Sequence, residues 1–464
     1  MTGGDVVDQL RSRLGDRVDT RPDVLREARA DRSGHASTGD PLVVVHAESV
    51  EDVQHTLRIA HAHRVPVVTR GAGTGLAGGA NAGPGQIALS TLRMDRILEV
   101  RPDDLLAVVE PGILNAALNE ALSVHDLWWA PDPASREIST VGGNIATGAG
   151  GLLCAKYGVV RDAVLGVDLV LADGRLLRLG RRTVKGVTGL DLTSLVIGSE
   201  GVLGVIVGAT LKLRRRTPGE PRTLSAEFSD VRAGAVGAAA ITASGVQPSI
   251  MELMDAPSLA AVHRLLGLPV PAKGTAQLTV QTDGTGAEAD IEAIARLLRS
   301  LGATVTMAAD AADGERLWTI RRSMHAAMAS LGTTLIEDVA VPRSALPAMY
   351  DEIARIEETY GLQIPTVCHA GDGNLHPNFV FDGPEVPDRI WAAADDLFRA
   401  ALRLGGTLTG EHGVGVLKRR WLAEELGEDQ WELQHQIARV FDPAGILNPG
   451  KVFDLRDQAA GGNT

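Results

Sequence analysis

Pro66-Val-Val-Thr-Arg-Gly-Ala-Gly-Thr-Gly-Leu-Ala-Gly-Gly79 is the stretch on which the fold turns. Val65 to Thr69 reads as a strand, and Gly73-Thr-Gly75-Leu-Ala-Gly78 after it matches GxGxxG, so a nicotinamide-dinucleotide site has to be weighed first. That motif works by opening a helix whose N-terminus meets the pyrophosphate. Here Gly79-Ala-Asn-Ala-Gly83-Pro84-Gly85 follows, which cannot continue as a helix. Glycines still let backbone N–H groups approach phosphate oxygens, with Arg70 as a charge partner, so a pyrophosphate cradle without a helix stays open beside a plain glycine-rich turn.

Outward from this loop, Leu42-Val-Val-Val45 reads as a strand, and Ser49 with Asp52 forms a capping box for a helix carrying Val53, Leu57 and Ala60, giving a β-α-β start. Strands are expected at 86–90 and 105–110 and a helix near 114–123. Ser139 to Gly151 is a second glycine-rich stretch. Asp173-Gly174 is a hairpin signal, and GSEGVLG (198–204) leads into the strand VIVGATLKL. Residues 1–39 read as a helical lead-in, 40–217 as the first domain, 218–405 as an α+β domain and 406–464 as a loop-rich C-terminal segment.

The 464 residues carry 45 Lys+Arg against 58 Asp+Glu, and this acidic balance, with 3% aromatics, argues against nucleic acid as a partner. Cys154 and Cys368 lie far apart, so neither a disulfide framework nor a thiolate zinc site is readable. The N-terminus lacks the apolar core of a signal peptide, and the uncharged run 233–251 is too weakly apolar to span a membrane. A cytoplasmic location is expected, with a peripheral membrane seat compatible with it.

Pro365-Thr-Val-Cys-His-Ala-Gly-Asp-Gly-Asn-Leu-His-Pro-Asn-Phe-Val380 carries the chemistry. A two-residue turn at Asp372-Gly373 would pair Gly371 with Asn374, Ala370 with Leu375 and His369 with His376. Both imidazoles and Asn378 then share one face, with Cys368 on the other. Two histidines do not make a metal site, and Gly410-Glu411-His412-Gly413 offers a third ligand in Glu411 while His412 reaches elsewhere. A hydrogen-bonded histidine pair and a surface loop would satisfy the same spacing.

The ordered set PVVTRGAGTGLAGG (66–79), PDPASREISTVGGNIATGAGG (131–151), KYGVVRDAVLGVDLVLADG (156–174) and GSEGVLGVI (198–206) resembles the PCMH-type FAD-binding domain of the vanillyl-alcohol oxidase superfamily. HAGDGNLH (369–376), TGEHGVG (409–415) and FDPAGILNPGKVF (441–453) are similar to the cap and tail of the FAD-linked D-2-hydroxyacid dehydrogenases, the group of D-lactate dehydrogenases, glycolate oxidase flavin subunits and D-2-hydroxyglutarate dehydrogenases. Together the likeness covers about nine-tenths of the chain.

The resemblance implies an α+β fold: a two-part FAD-binding domain, an α+β cap, and a C-terminal segment returning to the flavin. It implies non-covalent FAD, since no histidine stands within 70–79. Arg70, Gly71, Ala72, Gly73, Thr74, Gly75, Leu76 and Ala77 would hold the diphosphate. Pro131, Asp132, Pro133 and Ala134, with Thr140, Gly142, Gly143, Asn144, Ala146 and Thr147, would line the flavin and ribityl chain. Glu200, Gly201, Val205 and Ile206 would meet the adenosine side.

His369, His376 and Glu411 would bind Zn²⁺ or Mn²⁺, His412 would be the catalytic base, and Asn378 would help bind substrate. Leu317-Trp-Thr-Ile-Arg321-Arg322 resembles the family's substrate-arginine motif, which makes Arg321 the choice for a substrate carboxylate. Ile336 stands where 2-hydroxyglutarate-specific members carry a lysine. The implied reaction is oxidation of a D-2-hydroxy acid to the 2-oxo acid. Electrons would pass to a quinone, cytochrome, electron-transfer flavoprotein or iron–sulfur subunit, and a homodimer is compatible with the family. An alkyl-glycerone-phosphate-synthase-like transferase shares the flavin fold, but its histidine-rich loop is here only Glu411-His412; a non-redox metal hydrolase would leave the first domain unexplained.

Overall fold

The computed structural model describes residues 3–383 and 385–453. The chain forms two compact units. The first takes residues up to Gly150, then Val159–Arg216, and resumes at Glu411; the second takes Gly151–Gly158 and Thr217–Gly410.

In the first unit the valine run forms Val43–His46, which lies parallel to Ile87–Ser90, itself parallel to Val67–Arg70. Val43 and Val45 are fully buried and Val44 nearly so, because a parallel strand is covered on both faces and reads as unbroken apolar sequence. The connecting helix Val50–His63 places Val53, Leu57 and Ala60 in the core. Ser49 Oγ accepts from Asp52 N at 3.2 Å, as a cap should, while Asp52 Oδ2 reaches back to Glu48 N at 3.0 Å rather than to the cap residue itself. No helix follows Gly73–Gly78, which runs as bends and turns.

A second, antiparallel sheet orders Ile97–Arg101, Leu106–Val109, Val205–Lys212, Val164–Val170 and Leu176–Gly180. Asp173-Gly174 closes its hairpin, with Gly174 N donating to Leu171 O. Part of the second glycine-rich stretch is helical, Val141–Thr147, capped by Thr140 Oγ1 on Gly143 N. The tail completes this unit. Val67 N donates to Ile446 O at 2.7 Å and Asn448 N to Val67 O at 2.8 Å, so the segment lies along the free edge of the parallel sheet.

The second unit is built on an antiparallel sheet ordered Thr304–Met307, Arg222–Phe228, Ala276–Thr282, Ile250–Met254, Thr366–His369, Asn374–Phe381 and Thr333–Ile336, with Val339–Ala340 also paired to Asn374–Phe381. Met254 and Val367 pack beneath the helices Ala256–Leu266 and Met324–Leu331. Leu253 alternates to the opposite face, against the helix Val231–Ala243. Among the described residues no helix is long and apolar enough to cross a membrane.

The histidine hairpin differs in register from the sequence expectation. Asn374 pairs with His369, Leu375 with Cys368, and His376 with Val367, so four residues, Ala370 to Gly373, make the turn. The backbone N–H groups of Asp372 and Gly373 both donate to His369 O, which closes a longer turn than the two-residue one that Asp-Gly suggests. The slip is even, so it moves partners without changing faces. The two imidazoles sit diagonally on one face with centroids 5.0 Å apart, and Cys368 stays on the other face, buried.

Asp255 ties helix to sheet in this unit, since it caps Ala256–Leu266 through Ser258 N at 2.9 Å and accepts from Thr366 N at 2.7 Å. Burial pushes its carboxyl up to about 7, from an ordinary value of 3.8. Between those values the folded chain keeps a proton the unfolded chain has lost. Stability should therefore fall as pH rises from about 4 to about 7, by on the order of 1.4 kcal/mol per pH unit for this group. Urea unfolding of wild type and Asp255→Asn across that range should show a flatter profile for the variant.

Candidate functional site

His369 ends the strand Thr366–His369, and the register sets it directly opposite Glu252 on Ile250–Met254. The Glu252 carboxylate has no exposed surface and accepts from His369 Nδ1 at 2.6 Å through Oε1 and from Arg321 Nε at 2.6 Å through Oε2. Burial alone would raise its pKa, but His369 and Arg321, its two donors, hold it below the ordinary carboxylate range. With a carboxylate on Nδ1, His369 carries its proton there and turns the lone pair of Nε2 outward.

His376 also faces a buried acid, at a longer distance. Its Nδ1 lies 3.9 Å from Asp338 Oδ1, and Asp338 is itself fully buried. Asp338 accepts from Asn374 Nδ2 at 2.6 Å and from Thr409 Oγ1 at 2.5 Å. Two buried imidazoles, each with a carboxylate toward Nδ1, form the donor set a borderline divalent cation favours. Neither Glu252 nor Asp338 was singled out from the sequence. The available signal was a lone acid inside the apolar strand Ile-Met-Glu-Leu-Met.

The structure thus brings together Arg321, His369 and His376, with Asn378 two residues beyond His376. Asn378 Nδ2 donates to Pro365 O at 3.0 Å and to His376 O at 2.8 Å, so its amide nitrogen is committed to the backbone and its carbonyl oxygen is what it can offer a ligand. Arg322, at the end of the helix Ala311–Arg322 that also carries Arg321, instead pairs with Glu315 on the surface. Thr409 and Gly410 close on this cluster. A Cβ at Gly410 would collide with the Asn374 amide, so only glycine fits there, and Glu411 is the next residue along the chain.

In the first unit the loops named from the sequence also converge. Arg70 is largely buried, with Nη1 donating to Ala80 O at 3.2 Å. Burial holds its guanidinium below the ordinary value, and burial raises the carboxyl of Asp31, whose charge acts on it. Gly71 approaches the Thr140 hydroxyl, and Pro131 O accepts from Asn115 Nδ2 at 2.9 Å. Ala146 O accepts from Glu200 N at 2.8 Å. Ser139 Oγ and Asn144 Nδ2 are buried and meet no hydrogen-bond partner within the protein. Buried polar atoms are satisfied in native proteins, so these two suit a bound group rich in acceptors and donors, as FAD is. Val205 and Ile206 pair with Val170 and Leu169 and face opposite cores.

The Glu200 side chain accepts from Val414 N at 2.6 Å and Gly415 N at 2.9 Å, so it ties down the loop holding Glu411 and His412. Burial pushes its carboxyl up to about 7 although both N–H groups and Lys418 favour the charged form. Glu411 packs onto Gly150, where any Cβ would strike its carboxylate. His412 Nε2 lies 3.9 Å from Glu411 Oε1, and both side chains are mostly buried.

Residues 41–180 match a family described as "FAD binding domain", and 217–452 match "FAD linked oxidases, C-terminal domain". The glycolate oxidase subunit GlcD of Bacillus subtilis is 38% identical over 419 residues, 89% of each chain. The D-lactate dehydrogenase of Archaeoglobus fulgidus is 36% identical, covering 89% of this chain and 91% of that protein. Among solved structures, p-cresol methylhydroxylase with substrate bound superposes with a TM-score of 0.78 at 18% identity over 97% of each chain. An alkyldihydroxyacetonephosphate synthase gives 0.74 at 18% identity, over 96% of this chain and 85% of that one. At these identities the two structures share the fold.

Glu200→Ala strips two buried N–H groups of their acceptor, at about 1–3 kcal/mol each. Faster amide exchange should appear at Val414 and Gly415, measured by hydrogen–deuterium exchange, while amides of the second unit's sheet keep their protection.

Proposed function

This chain belongs to the FAD-linked oxidases, oxidoreductases acting on CH–OH donors, and from that premise we propose that it oxidises a D-2-hydroxy acid to the 2-oxo acid. The observation that carries the reading is the buried set Arg321–Glu252–His369 with His376 beside it. A 2-hydroxy acid has a carboxylate and a hydroxyl on adjacent carbons. A guanidinium next to a pair of metal-competent imidazoles matches those two groups in chemistry.

Arg70 and residues 71–77, the 131–134 segment and the 140–147 helix would hold FAD, with the unmet polar atoms of Ser139 and Asn144 as further partners. Bound FAD supplies the acceptor for the hydride leaving C2. His369 and His376, with Glu411 as third ligand, would hold a divalent cation, which lowers the pKa of a coordinated hydroxyl. Support for Glu411 comes from chain connection, because Gly410 is pinned against Asn374 in the histidine hairpin.

Arg321 keeps Nε on Glu252 and presents its terminal nitrogens to the substrate carboxylate. His412 takes the hydroxyl proton as C2 gives up its hydride, and the products are a 2-oxo acid, a protonated base and reduced cofactor. The D configuration is carried by the family likeness and by the name of the Archaeoglobus relative. Ile336 stands opposite Asn378 in the sheet, an apolar side chain where a second carboxylate would need a cation. Monocarboxylates such as lactate or glycolate are therefore the expected donors over 2-hydroxyglutarate.

Anaerobic mixing of the flavin-loaded protein with a panel of hydroxy acids tests this. Flavin absorbance should bleach with D-lactate or glycolate, more slowly with D-2-hydroxyglutarate, and not with L-lactate. Bleaching should disappear on chelation and return with Zn²⁺ or Mn²⁺. Bleaching that survives complete metal removal would refute the metal role. His412→Ala should lower the bleaching rate about 10²–10⁴-fold with flavin content unchanged.

A further inference from the structure

Glu252 touches two side chains that the proposed reaction uses for different purposes. Its register partner is His369, across one antiparallel step, and Arg321 reaches it from the helix Ala311–Arg322. Both bonds measure 2.6 Å, one to each carboxylate oxygen, and the side chain has no exposed surface, so water cannot replace either donor. We infer that Glu252 is a positioning residue that selects the tautomer of His369 and at the same time orients Arg321, linking cation binding to substrate-carboxylate binding through one side chain. The inference rests on the hydroxy-acid reading above.

The argument is one of donors and acceptors. Arg321 can only donate, so the oxygen facing it must accept. A carboxylate has a second acceptor, which requires His369 to donate from Nδ1 and leaves Nε2 as the ligand atom. Neutralising a buried arginine would also account for a glutamate here. That function alone does not depend on which nitrogen of His369 carries the proton.

Glu252→Gln separates the two. The amide has one oxygen, which stays with Arg321 because the guanidinium cannot accept. Its NH₂ then faces His369 Nδ1, which must become the acceptor, and the ring proton moves to Nε2. In flavin-loaded full-length protein, Zn²⁺ affinity measured by chelator competition should fall about 10–100-fold. Imidazole ¹⁵N shifts of the metal-free protein should report a change of tautomer at His369. Arg321→Lys, in contrast, should raise KM for the hydroxy acid while Zn²⁺ affinity stays within threefold.

Glu252→Asp, one methylene shorter, is the second variant should the amide fail to fold; it too should weaken Zn²⁺ binding. Flavin content and melting temperature report folding. If wild type binds Zn²⁺ and both Glu252 variants bind it within twofold, with the tautomer unchanged, the positioning role is wrong and the hydroxy-acid reading stands. If wild type itself binds no divalent cation, the positioning role falls together with the metal role, while bleaching by hydroxy acids still decides the hydroxy-acid reading.

Discussion

A carboxylate sealed from water in the middle of a sheet is the constraint on which the second unit's chemistry depends. Removing a lone ionised glutamate from solvent costs several kcal/mol, and Glu252 persists there because an imidazole and a guanidinium each meet one of its oxygens. Antiparallel pairing sets the Glu252–His369 contact, and the helix ending at Arg322 delivers Arg321. Asp338, which accepts from Asn374 and Thr409, stands 3.9 Å from His376 Nδ1, a looser counterpart. Such ties narrow the orientations open to the rings, which is what a metal ligand set needs before any ion arrives.

Much of the frame could be read from residues. The valine run announced a strand, Ser49 announced a helix start, and Gly79–Gly85 ruled out the helix that a dinucleotide motif requires. The paired histidine face was also legible, although its turn was not. Asp-Gly favours a two-residue loop, but the carbonyl of His369 draws two N–H groups and lengthens the turn to four residues. The face survived because side chains alternate with period two, so an even slip leaves them where they were.

What escaped the sequence were single acids outside any motif. Glu252 and Asp338 acquire meaning only through partners far along the chain, and nothing in their neighbours names those partners. The resemblance assigns Glu200 to the adenosine side of the nucleotide and says nothing of a second task. The Glu200 carboxylate turns out to hold the backbone at Val414 and Gly415, a contact that only three-dimensional proximity discloses. Ile-Met-Glu-Leu-Met did carry a hint, since an acid in an otherwise buried strand must be neutralised by something.

The tail along the sheet edge at Val67 bears on how the molecule is made. Translation delivers Val67 well before Ile446 to Asn448, so the first unit cannot close until the second unit, which lies between them in the chain, has been made. At about 5–20 residues per second the strand Val67–Arg70 waits for tens of seconds with one side open, the period in which an unpaired edge is most prone to join a stranger. A chain cut short before residue 446 would carry every loop of the first unit up to that point and still lack its last seam.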